Sequence, residues 1–255
     1  RKISKIKFAN FFDFLLTSVY KYAYNISVRR IEKMEIKNPL YQNQGVHVIC
    51  SIFTIEKGVP KVLLIKRKNE PYKDMWALVG GALYNNETID DGMEREIFEK
   101  IGIKLNNKEM FGIFSDVNRS PLMRMIAIGY VGLIDISKVQ ILKNTSKTSD
   151  ADWYPLDKIP TLAYDHNEII KKGINYLKEK ILDSDILKDI YPNGFTLPEI
   201  QKVYEIILGK ELDRRNFRKK LINLNLIYDT GKTIKYDGNK PAKLYKFKKS
   251  NKNVL

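Results

Sequence analysis

Three glutamates within residues 81–103 have the side chains and the spacing of a divalent-cation site. Glu96 and Glu99 are three residues apart and would share one face of a helix, and Glu87 lies in the segment just before that helix. Mg²⁺ prefers hard oxygen ligands and usually takes protein carboxylates together with substrate phosphates. These carboxylates could therefore hold Mg²⁺ against a diphosphate, with Glu96 and Glu99 as the catalytic pair if the site is active.

A lysine stands beside these carboxylates, at position 100. Lys100 follows Glu96 by four residues, and this order of charges on a helix favours an ion pair between the two side chains. A lysine supplies no ligand for Mg²⁺ and removes part of the attraction for a cation. We therefore expect Mg²⁺ binding to be possible but weakened.

Local signals bound the helix that carries these residues. Thr88 and Asp91 have the spacing of a capping box, so the helix should begin after Thr88. It should run to Ile101, because Gly102 fits the position that follows a helix.

Three apolar segments flank this helix. Residues 46–67 are rich in β-branched side chains and are interrupted at residues 56–60, which predicts a hairpin. Residues 76–81 predict one short buried strand that leads into the glutamate segment. Residues 123–134 are too short for a membrane span and contain Arg124, so we predict a core strand. Strands on both sides of a central helix indicate an α/β fold with a mixed sheet and helices packed on it.

The positive charge of the chain is concentrated at its two ends. The net charge is +15, yet residues 34–194 contain 22 basic and 22 acidic side chains. Residues 195–255 contain 15 basic and 6 acidic side chains, and residues 1–33 contain 8 and 2. A localised basic segment is typical of nucleic-acid contact, although a solvated lysine-rich tail would have the same composition. The single Cys50 excludes an intramolecular disulfide, which is consistent with a reducing cytoplasm.

The basic C-terminal segment has the periodicity of two helices. Apolar side chains in residues 197–208 follow one helix face, and Gly209 should end that helix. Asp213 is a suitable N-cap for a second helix over residues 214–223. The short turn between them predicts a helix-turn-helix, and residues 226–247 predict a two-stranded wing. A helical hairpin used only for dimerisation is the alternative.

The second of these helices carries candidate DNA-binding side chains. Phe217 and Leu221 share its core face, whereas Arg215 and Lys219 point the opposite way. Arginine and asparagine are the side chains that reach guanine and adenine edges in the major groove. With the lysines of the wing, the predicted DNA-binding residues are Arg214, Arg215, Asn216, Arg218, Lys219, Lys232, Lys240 and Lys243.

Two parts of the chain together resemble a known family. Residues 81–103 match the Nudix box, GX5EX7REUXEEXGU with U aliphatic, at every fixed position except Lys100, which stands where the box has its final glutamate. The resemblance with this departure implies that hydrolysis is weak or absent. With the C-terminal block after it, the chain resembles the Nudix-related transcriptional regulators, which control NAD biosynthesis and, in some branches, sugar use. The resemblance covers residues 38–248 and is carried by residues 62–67, 69–72, 76–81, 162–166, 212–221 and 240–245. It implies a Nudix α/β/α sandwich with a mixed sheet, followed by a winged helix-turn-helix domain.

The resemblance implies a division of labour between the two domains. The Nudix domain would bind a small effector, typically ADP-ribose, and the winged helix would bind operator DNA as part of a homodimer in the cytoplasm. Arg67, Arg119 and Arg124 are candidates for diphosphate contact because arginine binds phosphate bidentately, and Gly81 and Lys100 are the other ligand-binding candidates. The family tends to have Arg-x-Pro-Arg-Gly-Arg where residues 119–124 here contain leucine and methionine, so a related nucleotide or sugar ligand stays open.

We divide the chain into a basic N-terminal extension (1–33), a Nudix domain (34–165), linking helices (166–190) and a winged helix domain (191–250). The extension fits neither domain. Either it forms an amphipathic helix for a membrane or a partner, or it is not part of the natural protein, because codons upstream of Met34 were read as coding sequence. We favour the second interpretation. Two functions stay open: a ligand-responsive transcriptional regulator, which we favour, and a Mg²⁺-dependent Nudix hydrolase of the ADP-ribose pyrophosphatase type.

Overall fold

The computed structural model describes residues 18–21, 44–181, 186–188, 190–235 and 241–248. Residues 18–21 are helical and exposed, and they belong to a unit formed by residues 1–43. The predictions for the other residues of the N-terminal extension, and for Lys240, lie outside the described residues. Residues 44–255 form a second compact unit. None of the helices in the described ranges is long and apolar enough to cross a membrane.

A mixed sheet forms the first part of the second unit. Its strands are β1 (Gln44–Glu56), β2 (Val59–Arg67), β3 (Trp76–Ala77), β4 (Val79–Ala82), β5 (Lys108–Phe114), β6 (Arg124–Leu133) and β7 (Thr148–Pro155). The central strand β1 pairs antiparallel with β2 and β4 and parallel with β6. Strand β5 pairs antiparallel with β6, while β3 and β7 pair antiparallel with β2. The predicted hairpin, core strand and mixed sheet are confirmed.

The prediction for residues 76–81 was wrong in one respect, because the segment forms two strands and not one. β3 pairs with β2, whereas β4 pairs with β1. Leu78 lies at the break with its side chain buried, and its amide donates to His166 Nδ1 at 3.0 Å. A short apolar run does not indicate which neighbour each of its residues pairs with, so the break is not visible in the sequence.

One helix covers each face of the sheet. Helix α1 (Ile89–Ile101) packs on one face and helix α2 (His166–Lys180) on the other. Successive side chains of β1 alternate between the faces, as a strand requires. Val48, Cys50 and Ile52 join the cluster of Met93, Ile97 and Ile101, and Ile49 and Phe53 join that of Ile169 and Ile170. This is the predicted α/β/α sandwich.

Helix α1 begins and ends where the sequence predicts. The Thr88 hydroxyl accepts the Asp91 amide at 3.2 Å, and the Asp91 carboxylate accepts the Thr88 amide at 3.4 Å. Gly102 follows the helix with a φ of 73°, in the left-handed region that glycine adopts without steric cost, and its amide donates to the Phe98 carbonyl at 2.8 Å. Local interactions at both ends therefore set the register of the glutamate-bearing helix.

The second part of the unit is a winged helix. It contains α3 (Leu197–Leu208), α4 (Arg214–Asn223) and the antiparallel strands β8 (Ile227–Ile234) and β9 (Ala242–Phe247). Thr196 and Glu199 form a capping box before α3, and Gly209 ends it with a φ of 69°. The Asp213 carboxylate caps α4 by accepting the Asn216 amide at 2.8 Å. The predicted helix-turn-helix and wing are confirmed.

One apolar core runs from the sheet into the winged helix. Leu177 and Ile181, at the C-terminal end of α2, belong to the same buried cluster as Val62 of β2 and Val203 of α3. Helix α3 contacts both α2 and β2. The two parts of the unit are therefore packed against each other and are not joined by a free linker.

Candidate functional site

A cavity of about 300 Å³ opens beside the central strand β1. Basic side chains come to it from separate elements: Arg67 from the end of β2, Lys100 from the last turn of α1, and Arg119 from the loop between β5 and β6. Gly81 of β4 also lines it, and Glu70 is the single acidic side chain among the lining residues. The structure thus brings four of the five predicted ligand-binding residues to one cavity.

The fifth predicted residue, Arg124, does not line the cavity. Its Nη1 donates to the carbonyls of Ser115 and Asp116, at 2.8 and 3.0 Å, and so ties down the start of the loop between β5 and β6. Arg124 supports the loop that carries Arg119.

The side chains that line the cavity include more basic than acidic groups. Burial first, and then the nearby Arg119 and Lys100, lower the pKa of His47 to about 4. The same causes, burial first, hold the pKa of His166 well below its ordinary value, so both histidines are neutral near pH 7. The lining side chains then include three cations and one carboxylate, and an anionic ligand would compete with Asp165 and Glu96 for two of these cations.

Two of these cations are held in place by protein contacts. Arg67 Nε donates to the Pro71 carbonyl at 3.0 Å, and its guanidinium lies 5.1 Å from the centre of the Tyr164 ring. Arg119 donates through Nε and Nη2 to the two carboxylate oxygens of Asp165, at 3.0 and 2.8 Å. A guanidinium fixed in this way presents its remaining N–H groups in one orientation, as recognition of a phosphate requires.

Arg95 donates hydrogen bonds to all three glutamates of the Nudix box. Arg95 Nε and Nη2 donate to the two carboxylate oxygens of Glu87, at 2.7 and 2.6 Å. Arg95 Nη1 donates to Glu96 at 2.6 Å and to Glu99 at 3.3 Å. Hydrogen bonds from Arg95 lower the pKa of Glu87 to about 2. One guanidinium therefore contacts all three predicted metal ligands.

Lys100 pairs with the buried Glu96, as its spacing predicts. Its Nζ lies 3.2 Å from Glu96 Oε2 and also donates to the Gly80 carbonyl. The two side chains are 11% and 3% exposed, so the pair is buried. Burial alone would raise the pKa of Glu96, but Lys100, Arg95 and Lys147 outweigh it and lower that pKa, so Glu96 is ionised. Burial lowers the pKa of Lys100, against the opposing pull of Glu96.

A second lysine, Lys147, also contacts these carboxylates. It precedes β7, and its Nζ lies 2.6 Å from Glu99 Oε2 and 3.6 Å from Glu96 Oε1. Glu87, Glu96 and Glu99 are therefore neutralised by three protein cations, Arg95, Lys100 and Lys147.

Glycine at position 81 leaves space for the Glu96 side chain, because a Cβ at this position would lie 2.4 Å from Glu96 Oε2.

The Nudix box implies a divalent metal, and the residues present do not fit one in this arrangement. Among the described residues, no group of three or more His, Cys, Asp or Glu side chains is placed to hold a metal ion. The carboxylates that would bind Mg²⁺ each accept from Arg95, and Lys100 and Lys147 contact two of them. A cation would have to displace these groups before it could reach the glutamates.

The predicted DNA-binding residues form an exposed basic surface on the winged helix. Phe217 and Leu221 are buried on α4, and the Phe217 ring meets Tyr204 of α3 with centroids 5.0 Å apart. The other face of α4 exposes every predicted residue of that helix: Arg214, Arg215, Asn216, Arg218 and Lys219. Lys232 on β8 and Lys243 on β9 are exposed as well, and Lys243 pairs with Asp229 at 2.8 Å.

Part of this basic surface lines a second cavity, of about 600 Å³. Arg214 and Arg218 lie one turn apart on α4 and line it together with Lys243 of the wing. Residues 196–199, at the start of α3, also line it. The structure therefore separates the Arg214 and Arg218 face from the neighbouring face that carries Arg215 and Lys219.

Several residues of the site were not predicted from the sequence. Lys147, Asp165, His47 and Tyr164 all contribute contacts or charge to it. Asp165 and Tyr164 lie in the segment 162–166 that carried part of the family resemblance, but no role was assigned to either. No feature of the sequence distinguishes Lys147 from the other lysines around it.

Comparisons with known proteins matched both parts of the chain. Residues 44–174 match the NUDIX domain family, and residues 187–247 match the family described as NrtR DNA-binding winged helix domain. The chain is 29% identical over 211 residues to the ADPR responsive transcriptional repressor NtrR of Acinetobacter baylyi, covering 81% of this chain and 83% of that protein. It is 32% identical over 152 residues to the ADP-ribose pyrophosphatase of Methanocaldococcus jannaschii, covering 59% of this chain and 88% of that protein. The crystal structure of Shewanella oneidensis NrtR complexed with a 27mer DNA is similar with a TM-score of 0.68 and 28% identity, covering 80% of this chain and 93% of that one.

Proposed function

Since the chain belongs to the NUDIX family and ends in an NrtR-type DNA-binding winged helix domain, we propose that it is a transcriptional regulator whose Nudix domain senses ADP-ribose. One observation carries this proposal. A cationic cavity with the size of a small-molecule site and a basic recognition helix lie in one packed unit. A ligand in the first can therefore act on the second.

The recognition helix of the proposed regulator is α4. Arg215 and Lys219 enter the major groove and read base edges, with Asn216 beside them. Arg214, Arg218 and Lys243 line the cavity against the wing and contact phosphates, as does Lys232 on β8. Helix-turn-helix proteins bind two half-sites as dimers, so the chain acts as a homodimer on its operator. A regulator of this kind works in the cytoplasm, where the chromosome lies.

The effector of the proposed regulator is a diphosphate compound. Arg119, Arg67 and Lys100 supply positive charge for the diphosphate, and the apolar part of the wall accommodates the rest of the ligand. ADP-ribose has this chemistry and is named in the descriptions of two relatives. A related nucleotide or sugar ligand would use the same cations.

The ligand binds without a strong requirement for Mg²⁺. Lys100 and Lys147 form ion pairs with carboxylates of the Nudix box and supply part of the positive charge that a metal would bring. Mg²⁺ affinity is correspondingly weakened, and turnover of the ligand is slow or absent. Slow turnover suits a sensor, because an effector that is destroyed gives only a transient signal.

The alternative is a Mg²⁺-dependent Nudix hydrolase. Retention of Glu87, Glu96 and Glu99 favours it, as does the similarity to an ADP-ribose pyrophosphatase. Incubation of the parent chain with ADP-ribose and Mg²⁺, followed by detection of AMP, separates the two functions. Turnover of about 1 per second or more would make the chain an ordinary enzyme.

Binding to the DNA upstream of the chain's own gene tests the regulator directly. Fluorescence anisotropy with a labelled duplex should give a tight complex that survives an excess of unrelated DNA. Lys104→Ala removes one exposed charge from the Nudix domain and should leave the affinity unchanged. Equal affinity for the upstream duplex and for unrelated DNA would contradict the proposal.

A further inference from the structure

We propose that Asp165 couples the cationic cavity to the winged helix by exchanging its partner when a diphosphate binds. In the ligand-free chain Asp165 holds Arg119; with the ligand bound, Arg119 turns to the phosphates and Asp165 caps helix α2. The inference rests on the proposed function, since it needs an anionic effector in the cavity and a DNA-binding winged helix. It adds the residue and the movement that link the two sites.

The first arrangement is the ion pair that the structure contains. Arg119 and Asp165 make two parallel hydrogen bonds, and their side chains are 3% and 24% exposed. Arg119 also lines the cavity, together with His47 and Lys100. A diphosphate offers the same bidentate geometry with more negative charge, and it would repel the Asp165 carboxylate from the same guanidinium. The ligand therefore competes with Asp165 for Arg119.

The second arrangement is available because Asp165 stands at the N-cap of α2. Its carboxylate makes no side-chain cap hydrogen bond, and its backbone has φ −93° and ψ 20°, outside the extended conformation usual at an N-cap. Aspartate is among the residues that cap helices best when the carboxylate is free to accept the amides of the first turn. Release from Arg119 gives Asp165 that alternative partner.

Helix α2 carries the change to the winged helix. Its first residue, His166, accepts the Leu78 amide in the wall of the cavity. The helix has fifteen residues and ends at Lys180, about 21 Å away along its axis. There Leu177 and the following Ile181 pack in one cluster with Ile200 and Val203 of α3. A shift at the first turn of α2 is therefore transmitted to α3, the helix that supports α4. Helix α2 is then the two-state element that both sites influence.

Two substitutions at position 165 separate the partners of the carboxylate. Asp165→Asn removes the charge that holds Arg119 but keeps a side chain that caps helices well. Asp165→Ala removes both. Glu168→Gln is the matched control, because Glu168 is an exposed carboxylate in the same first turn of α2. For each chain, the affinity for upstream DNA is measured with and without ADP-ribose, together with the affinity for ADP-ribose itself and the melting temperature.

On addition of ADP-ribose, the DNA affinity of the parent and that of Glu168→Gln should change by the same factor. For coupled sites this factor is about 5- to 150-fold. Asp165→Asn should bind ADP-ribose more tightly, and its DNA affinity should match that of the ligand-bound parent whether ADP-ribose is present or not. Hydrogen exchange should find the first-turn amides of α2 protected in this variant without ligand. Asp165→Ala should lose the coupling too, with those amides left unprotected.

A lowered melting temperature with the parent's coupling retained in Asp165→Asn would show that the ion pair is only structural, and it would overturn this inference while leaving the proposed function intact. Failure of the parent itself to bind the upstream DNA or ADP-ribose would instead refute the proposed function, and this inference with it.

Discussion

Replacement of Lys100 by glutamate tests how the box carboxylates are neutralised. Lys100 and Glu96 form a pair that is 11% and 3% exposed. Removal of one partner from a buried pair costs about 3–5 kcal/mol. Arg95 and Lys147 still contact Glu96 when Lys100 is lost. The stability lost in Lys100→Met should therefore be at the lower end of this range, about 3 kcal/mol. Lys100→Glu should approach about 5 kcal/mol, because it adds a second carboxylate beside Glu96.

These costs convert to shifts in melting temperature. At about 2–4 °C per kcal/mol for a chain of this size, Lys100→Met should melt about 6–12 °C below the parent and Lys100→Glu about 10–20 °C below it. Mg²⁺ should rescue only the glutamate variant, since it alone gains a metal ligand. At a concentration about a hundredfold above its Kd, Mg²⁺ would return about 2.7 kcal/mol, which is about 5–11 °C.

Thermal melts in EDTA and in Mg²⁺ measure both effects. Lys104→Glu is the matched control for charge reversal, because Lys104 is exposed just beyond the same helix. ADP-ribose cleavage by Lys100→Glu in Mg²⁺ should rise well above that of the parent. An equal gain in stability from Mg²⁺ for the parent and for Lys100→Glu would contradict this prediction, because the metal would then bind in spite of Lys100.

Three further predictions concern other parts of the chain. Arg215→Ala should weaken binding to the upstream duplex by about 1–3 kcal/mol and relax its preference at one base pair, whereas Arg218→Ala should weaken all duplexes alike and flatten the salt dependence in anisotropy titrations; identical salt slopes and base preferences for the two variants would count against the division. Gly81→Ala should lower the melting temperature and the ADP-ribose affinity measured by calorimetry, because its Cβ would lie 2.4 Å from the Glu96 carboxylate; an unchanged affinity would mean that Glu96 has room to move. Since burial lowers the pKa of His47 from 6.5 to about 4, the unfolded chain takes up a proton in this range that the folded chain does not, and stability should fall as pH drops from 6.5 towards 4; His47→Gln should reduce that loss in thermal melts, and an equal loss in both chains would contradict the assignment.

The elements that local interactions determine could be predicted from the sequence. Helix α1 is bounded by Thr88 and Gly102, and α4 by Asp213, and each boundary depends on a side chain or a backbone conformation within a few residues. The ion pair of Glu96 and Lys100 lies within one helix and follows from spacing alone.

Strands at the margins of the sheet could not be predicted in the same way. β5 lies at one edge and is largely half-buried, and β7 alternates poorly, with two aspartates in eight residues. Neither strand shows the alternation of apolar and polar residues by which a strand is recognised. Each forms because it pairs with a neighbour, β5 with β6 and β7 with β2.

The parts of the site that depend on distant residues were also missed. Lys147 reaches Glu99 across 48 residues of sequence, and Arg119 reaches Asp165 across 46. Such pairs form only when the loops before β6 and β7 have packed against the helices. The periodicity of apolar residues does not indicate which distant side chains will meet.

We infer that one chain binds DNA and changes its affinity for that DNA when a diphosphate ligand fills the Nudix cavity. The most direct test of this inference is a titration of the parent chain with a labelled upstream duplex, in EDTA, with and without saturating ADP-ribose. We expect specific binding in both cases and a change in Kd of about 5- to 150-fold between them. A tight complex with ADP-ribose that leaves the DNA affinity unchanged would contradict it.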